Sequence, residues 1–324
     1  MIPYTKGLHD LGGGHYAYLQ PDGSWGFSNA GLVTDAGESL LVDTLFDLRL
    51  TGEMLAAMRR ATAAAASIGV LINSHSNGDH TFGNRLVEGA RIVASRRCAE
   101  EMPNVGPERI AELMRRARAG QLGRTGAYLE RIFGQFDFTG VDRYVLPTET
   151  FEGTLELKVG GKTVRLIEVG PAHTGGDLIV HVAADRVVYA ADILFIGGHP
   201  VAWTGPVANW IKAIDLILGL EPEVIVPGHG PIPTRQQVLE LKGYWEWLLH
   251  ECRAHHDAGV PAWEAASDLA RAQYADWGEG ERLIINVETI YRELSGEAAA
   301  PVAPIDRFGK MADFEQAARP ARYR

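Results

Sequence analysis

The sequence is organised around His75-Ser76-Asn77-Gly78-Asp79-His80. This stretch directly follows the apolar run 69–73, which predicts a short buried strand. Imidazole nitrogens and carboxylate oxygens bind zinc-class cations, and Gly78 permits a tight loop in which several of these groups converge. A hydrogen-bonded His–Asp pair on a loop explains the hexapeptide equally well. The stretch alone therefore leaves a metal site open without establishing it.

Three later segments repeat this layout, in which an apolar strand leads into a turn that carries one more ligand type. They are residues 164–169 before His173, residues 186–190 before Asp192, and residues 223–226 before His229. Ligands in open α/β sheets usually bind beyond the carboxyl ends of the strands. We therefore expect these side chains to meet the hexapeptide at one edge of the fold.

In these residues the chain resembles the metallo-β-lactamase superfamily, whose signature is His-x-His-x-Asp-His followed by a single His, a single Asp and a final His. The resemblance covers His75 to Gly230, and the hairpin from Ala30 to Asp43 looks like the family's opening strands. It implies an α/β fold, a four-layer αββα sandwich of two sheets between helical layers. It also implies hydrolysis in which a zinc-class ion lowers the pKa of its bound water to about 7 and so provides hydroxide.

Matched residue by residue, the resemblance implies two metal sites that share a bridging carboxylate. The first site would comprise His75, His173 and Asp192, and the second Asp79, His80, His229 and Asp192. Asp79 would also orient the attacking water or take its proton.

One position departs from the signature, because Asn77 stands where the family usually has its second histidine. A neutral carboxamide oxygen is a poor zinc ligand beside imidazole and carboxylate. We expect one tightly bound Zn²⁺ in the second site and a first site that is weak, substituted or empty. If it is empty, His75 and His173 would act as acid or base. The alternative is that Asn77 coordinates weakly in a working two-metal site.

Composition sets the class of protein and its surroundings. The chain has 324 residues, of which 46% are hydrophobic and 22% charged, so it can bury an ample core. Its net charge of −10 disfavours nucleic-acid binding. The cysteines Cys98 and Cys252 form no CxxC motif, and we find neither a signal peptide nor an apolar stretch of membrane-spanning length. We expect a cytoplasmic protein with a small-molecule substrate and no nucleic-acid or membrane partner.

The sequence predicts one domain over residues 1–295, with an arginine-rich helical insertion at about 96–145 and C-terminal helices at about 234–294. The aromatic residues that end the insertion are either a wall over the metal site or, more commonly for such clusters, ordinary core. The Ala- and Pro-rich tail 296–324 is predicted to be extended or poorly ordered. The predicted helix 234–256 has an apolar stripe with many large side chains. We expect this stripe to pack against its own domain or to form the interface of a homodimer.

Three residues near the predicted ligands are candidates for the substrate pocket: Phe82, His199 and Trp203. They suggest a substrate with an apolar or aromatic moiety. Asp43, at the end of an upstream strand, either orients a metal ligand or, as the slightly favoured interpretation, caps a helix that begins at Leu45.

The fold does not choose the substrate. Acyl compounds, namely esters, lactones and lactams, are the favoured substrates because the family that the chain resembles acts on a broad range of substrates. Hydrolytic dehalogenation of an aromatic substrate is an alternative motivated by the unequal sites and the aromatic pocket candidates. An iron-dependent oxidoreductase and a non-catalytic metal-binding relative are alternatives of other classes.

Overall fold

A computed structural model describes residues 2–141, 143–297 and 303–318. Its first sheet has seven strands in chain order. They are β1 (Gly7–Gly12), β2 (His15–Leu19), β3 (Ala30–Asp35), β4 (Glu38–Val42), β5 (Val70–Asn73), β6 (Arg91–Ser95) and β7 (Glu149–Phe151). The strands β1 to β4 are antiparallel neighbours, and β4 to β7 run parallel.

The second sheet has five strands, β8 (Thr154–Val159), β9 (Lys162–Glu168), β10 (Leu178–Val182), β11 (Val187–Phe195) and β12 (Val224–His229). Neighbouring strands are antiparallel except for β11 and β12, which are parallel. The parallel strands β5, β11 and β12 therefore each lead into a connection at their carboxyl ends, where the predicted ligands lie.

The two sheets pack face to face through aliphatic side chains. Val33 and Leu40 of the first sheet and Leu166 and Val180 of the second are fully buried in this layer. The adjacent Leu41 points to the opposite face and packs in the core beneath the helices. Because both faces of these strands are covered, the strands are apolar almost throughout rather than alternating. This is the αββα sandwich expected from the sequence.

The helices cover the outer faces of the sheets and build the rim of the site. They are α1 (Leu48–Ala61), α2 (Gly78–Thr81), α3 (Arg96–Glu101), α4 (Pro107–Arg118), α5 (Gly123–Phe133), α6 (Val207–Gly219), α7 (Arg235–Asp257), α8 (Ala262–Leu269), α9 (Leu283–Leu294) and α10 (Pro304–Ala318). The predicted helical insertion corresponds to α3, α4 and α5, between β6 and β7. No helix in the described part of the chain is long and apolar enough to cross a membrane.

The apolar stripe of α7 packs within the chain. Thr234 caps this helix, and Gln237 bonds back to Thr234 to complete a capping box. Trp245 and Leu248 are fully buried, and Trp245 packs on Trp210 of α6 at a ring distance of 4.6 Å. The stripe is therefore part of the core of the chain. It is not available as the dimer contact that the sequence analysis considered. A homodimer stays a prediction without that support.

The prediction of an extended or poorly ordered tail is wrong for Pro304–Ala318, which forms α10. Met311 and Phe314 of this helix are buried, and α10 packs against α5 and α9. Its apolar face is narrow and follows an Ala- and Pro-rich stretch, so the helical period was hard to see in the sequence. Residues 298–302 and 319–324 of the predicted tail lie outside the described residues.

Candidate metal centre

The chain brings its predicted ligands together at one edge of the sandwich. The hexapeptide follows β5, His173 lies between β9 and β10, Asp192 belongs to β11, and His229 ends β12. His75, His80, His173, Asp192 and His229 are buried, and Asp79 is partly exposed. Residues far apart in sequence meet here because each one follows or ends a strand of the two packed sheets.

Asp192 lies at the middle of this cluster. Its carboxylate oxygens are 3.0 Å from Nε2 of His80, 3.2 Å from His173, 3.4 Å from His229 and 3.6 Å from His75. Gly228 makes the approach possible, because a Cβ added there would lie 2.0 Å from Oδ1 of Asp192. Only glycine fits at that position beside the central carboxylate.

Two compact groups of ligand atoms surround Asp192. One joins His75, His80 and Asp192, and the other joins Asp79, His80 and His229, each with all its ligand atoms within 4.8 Å of one another. His80 belongs to both groups, whereas the sequence placed it in the second site only. His173 lies outside both groups and contacts Asp192 alone among the acidic ligands.

All four histidines are held with Nε2 facing the centre, because each Nδ1 has a partner behind it. His80 Nδ1 donates to Asp43 at 2.9 Å, His173 Nδ1 to the Val201 carbonyl at 2.7 Å, and His229 Nδ1 to the Gly23 carbonyl at 3.0 Å. His75 Nδ1 lies 3.0 Å from Ser74 Oγ. Such bonds fix the ring orientation, and in metal sites they raise the basicity of the other nitrogen.

Asp43 orients two of these rings. It accepts from His80 directly, and it accepts from Ser74 Oγ at 2.6 Å, so that the Ser74 oxygen is left to accept from His75. The favoured interpretation of Asp43 as a helix cap is wrong, because α1 begins at Leu48 and its cap is Asp47. The alternative role, support of a ligand, matches its contacts.

The donor set fits a divalent cation. Among the described residues, His75 Nε2, His80 Nε2 and Asp192 Oδ1 are buried and make no well-oriented hydrogen bond, although the last two atoms lie 3.0 Å apart as an ion pair. Unsatisfied buried polar atoms are costly, by roughly 1–3 kcal/mol each. Neutral imidazole and carboxylate are the preferred ligands of zinc-class ions, so a bound cation would satisfy these atoms together.

The electrostatics of the cluster divide the histidines into two pairs. Burial lowers the pKa of His75 well below its usual value and that of His173 to about 4, so both rings are neutral at pH 7. Burial acts in the same direction on His229 and His80, but Asp192 and Asp79 outweigh it. They raise the pKa of His229 to about 9 and that of His80 well above its usual value.

Asn77 contacts His173 at the first predicted site. Its carboxamide oxygen is placed 2.6 Å from His173 Nε2. Because Nδ1 of this neutral ring donates to Val201, Nε2 has only a lone pair, and the amide must present its N–H there instead. Asn77 then occupies the lone pair that His173 would offer to a metal.

A cavity of about 440 Å³ opens over the cluster, bordered by Asn77, Asp79, Asp192 and His229. Part of its lining is an aromatic wall made of Trp25, Phe133, Trp203 and Phe308. Phe308 of α10 lies 5.7 Å from Trp25, 5.6 Å from Phe133 and 6.0 Å from Trp203, measured between ring centres. The cavity can therefore hold an apolar or aromatic group beside the cluster.

Of the three predicted pocket residues, the structure places only Trp203 at this cavity. Phe82 is fully buried beneath the hexapeptide, where a Cβ on Gly78 would meet its ring at 2.4 Å. His199 is buried against Tyr244, whose hydroxyl lies 3.1 Å from its Nδ1. Both assignments were wrong, because closeness in sequence to a ligand does not fix the direction of a side chain.

Glu101, at the end of α3, was missed by the sequence analysis. It accepts from Ser76 Oγ at 2.9 Å and from the Gly175 N–H at 3.0 Å, and it lines the cavity. It thereby joins the hexapeptide to the loop that carries His173. Its position in a helix 21 residues after His80 gave no local signal of this contact.

A two-sheet sandwich with a histidine and aspartate cluster at its strand ends is the architecture of a metallohydrolase. The family model described as the metallo-beta-lactamase superfamily matches residues 23–229, more than half of the chain. The chain belongs to this superfamily, whose members are generally metal-dependent hydrolases. The family and the fold predicted from the sequence are confirmed.

Particular relatives are more distant. A linear primary-alkylsulfatase of a Pseudomonas strain is 25% identical over 116 residues, which cover 33% of this chain and 22% of the relative. The alpha subunit of a 2,4-dinitroanisole O-demethylase from Nocardioides is 33% identical over 88 residues, 25% of this chain and 26% of the relative. The matches span only about a quarter of the length of these relatives.

Among solved structures, a stereoselective inverting sec-alkylsulfatase from Pseudomonas sp. superposes with a TM-score of 0.63 at 15% identity. The match covers 93% of this chain and 53% of that one. At this identity the likeness shows a shared fold.

Proposed function

We propose that this protein is a zinc-dependent hydrolase of an ester, lactone, lactam or similar acyl substrate with an apolar or aromatic moiety. The observation that carries the proposal is the set of four Nε2 atoms held from behind and directed at Asp192, at the floor of an aromatic-walled cavity. When bound, the ion supplies Lewis acidity and lowers the pKa of water.

The two sites are proposed to be unequal. Asp79, His80, His229 and Asp192 would hold the tightly bound ion, since two carboxylates there offset its charge. His75 and His173 would hold a second ion weakly or not at all. The contact of Asn77 with Nε2 of His173 supports this, because that nitrogen is already engaged.

The remaining groups would move protons and position the substrate. Asp79 is the partly exposed carboxylate at the cavity, and its loop is held by a 2.5 Å hydrogen bond from Ser28 Oγ to the Asp79 carbonyl. It can orient water or take its proton. The neutral ring of His75 can act as base and then as acid toward the leaving group. His173 can do the same when the substrate displaces the Asn77 amide from its Nε2. The aromatic wall would hold the apolar part of the substrate.

Sulfate-ester hydrolysis is a second candidate. It is favoured by the alkylsulfatases among the relatives and by arginine side chains at the cavity. Both candidates cleave an ester beside an apolar group, so substrate comparison is needed to separate them. For the compartment, the buried and unpaired Cys98 and Cys252 support a reducing, cytoplasmic environment.

The test is the metal content of protein purified without added metal, together with turnover of naphthyl esters, lactones, β-lactams and alkyl sulfates. Asp79→Ala should lose both metal and turnover, whereas Asp137→Ala, at an exposed aspartate, should lose neither. Halide release from a haloaromatic compound added to the same panel would indicate dehalogenation, and iron with oxygen consumption would indicate an oxidoreductase. Full zinc with no turnover, or full activity in Asp79→Ala, would contradict the proposal.

A further inference from the structure

The cavity of this acidic chain has cationic side chains in its lining, besides the proposed metal ligands. Arg109, Arg282 and Arg307 line it, whereas Glu101 is the one lining carboxylate outside the proposed ligand set among the described residues. Two of the three arginines, Arg282 and Arg307, come from beyond residue 229, where the match to the family model ends. They therefore belong to the part of the chain that this superfamily does not define.

Arg282 is a buried cation without an acidic partner. Its side chain is 2% exposed, its guanidinium lies 4.2 Å from the centre of the Trp25 ring, and Nη1 donates to the His199 carbonyl at 2.9 Å. Nε is buried without an acceptor, and none of the described carboxylates is within ion-pairing distance. A buried charge is normally paired, since its desolvation is costly.

Arg307 repeats the arrangement on the neighbouring ring. It lies on α10, its guanidinium is 5.6 Å from the centre of the Trp203 ring, and Nη1 donates to the Trp203 carbonyl at 2.7 Å. It too has no carboxylate partner in the described ranges. By contrast, Arg124 and Arg131 on the outer side of α5 pair with Asp313 and Glu315 of the same α10.

The two guanidinium groups lie beside neighbouring rings of one cavity. Trp25 and Trp203 are 5.9 Å apart, each has one guanidinium beside it, and both arginines border the cavity that also contains Asp79 and His229. Stacking on aromatic rings holds a guanidinium plane in place while leaving its N–H groups free to bind an anion. Outer arginines of this region are neutralised by protein carboxylates, and these two are left for a ligand.

We infer that Arg282 and Arg307 form an anion subsite, and that the substrate is amphipathic, with an aromatic or aliphatic body and an acidic group such as a carboxylate or sulfate. This rests on the proposed function only in taking the cavity as the substrate pocket. The body lies against the aromatic wall, and the acidic group accepts from the guanidinium N–H groups of Arg282 and Arg307 that border the cavity.

The test is calorimetric binding of naphthalene-2-carboxylate and of naphthalene-2-carboxamide, which have nearly the same shape and differ in charge. The carboxylate should bind on the order of tenfold more tightly. Because a carboxylate could also bind the metal, each titration is run on the zinc-loaded and on the chelator-treated protein. The preference should persist without metal.

Arg307→Gln, at a half-buried residue, should abolish the preference. Arg124→Gln, which breaks an exposed ion pair between α5 and α10, should keep it. Arg282→Lys retains charge at the buried position and should keep part of the preference. A preference that is absent, that vanishes on metal removal, or that survives in Arg307→Gln overturns the subsite. Loss of the preference in both Arg124→Gln and Arg307→Gln would also overturn the subsite, because the effect would then come from loosened packing of α10.

The subsite and the hydrolase proposal fail separately. If the charge preference follows Arg307 and no substrate is turned over, the subsite stands and the hydrolase proposal falls. If neutral and anionic esters are hydrolysed with equal kcat/KM and binding shows no preference, hydrolysis stands and the subsite falls.

Discussion

Asp43 accepts a 2.9 Å hydrogen bond from Nδ1 of His80, and both side chains are buried. Because this bond holds the His80 ring toward Asp192, Asp43→Asn should weaken zinc binding by about 10- to 100-fold, the usual effect of losing such a partner. Competition with a chromophoric chelator measures the affinity. Asp47→Asn, the same change at the buried cap of α1, should leave it unchanged, and equal losses in both variants would contradict the assignment.

Asn77→His should strengthen the first site, because an imidazole replaces the carboxamide and the lone pair of His173 is no longer engaged by it. We expect the zinc content to rise toward two ions per chain, read by mass spectrometry of protein purified without added metal. If the wild-type chain already holds two ions of equal affinity, the effect of Asn77 has been overestimated.

Zinc affinity should rise with pH. In the metal-free protein, burial lowers the pKa of His229, but Asp192 and Asp79 outweigh burial and raise this pKa to about 9. The ring is therefore protonated at pH 7, and the metal must displace that proton. Between pH 7 and 9 the affinity should increase by about tenfold per pH unit for each proton displaced. Calorimetry in buffers of different ionisation enthalpy counts the protons. Binding that is independent of pH would contradict the raised pKa.

The same shift affects the stability of the metal-free protein. A histidine whose folded pKa lies above its unfolded value stabilises the fold fully below about pH 6.5, and this contribution is lost as the pH rises through about 9. Chelator-treated protein should therefore melt at a lower temperature at pH 9 than at pH 6.5. The zinc-loaded protein should show a smaller change, because the metal replaces the proton.

Phe308→Ala should remove part of the aromatic wall. For substrates with a bulky aromatic group we expect kcat/KM to fall by roughly tenfold, since part of the contact area of the ring is lost. Acetate esters of small alcohols, which do not reach α10, should be hydrolysed as before and provide the control. Removal of the half-buried ring should lower the free energy of unfolding by about 1–2 kcal/mol, less than the loss of a fully buried Phe. Equal losses on small and bulky substrates would contradict a role in binding.

The sequence predicted the sandwich and the positions that meet at its edge, because each predicted ligand carries its own local signal. His173, Asp192 and His229 each belong to or follow an apolar strand, and the order of strands brings them to one edge. What failed was the direction of side chains. Phe82 points under Gly78 into the core, and the start of α1 at Leu48 rather than Leu45 left Asp43 free to support His80.

The cavity could not be predicted for a different reason. Trp25, Arg282 and Phe308 meet across more than two hundred residues of chain, and each looks like an ordinary surface or core residue in its own segment. The packing of α10 on α5 and α9 brings Phe308 to Trp25, which already contacts Arg282. Local periodicity contains no information about such a contact, and the weak period of α10 hid the helix itself.

Arg307 and Phe308 border the cavity from a stretch separate from the proposed metal ligands, since they lie some eighty positions after His229. Substitutions in α10 can therefore change which substrates bind while the proposed metal ligands stay the same.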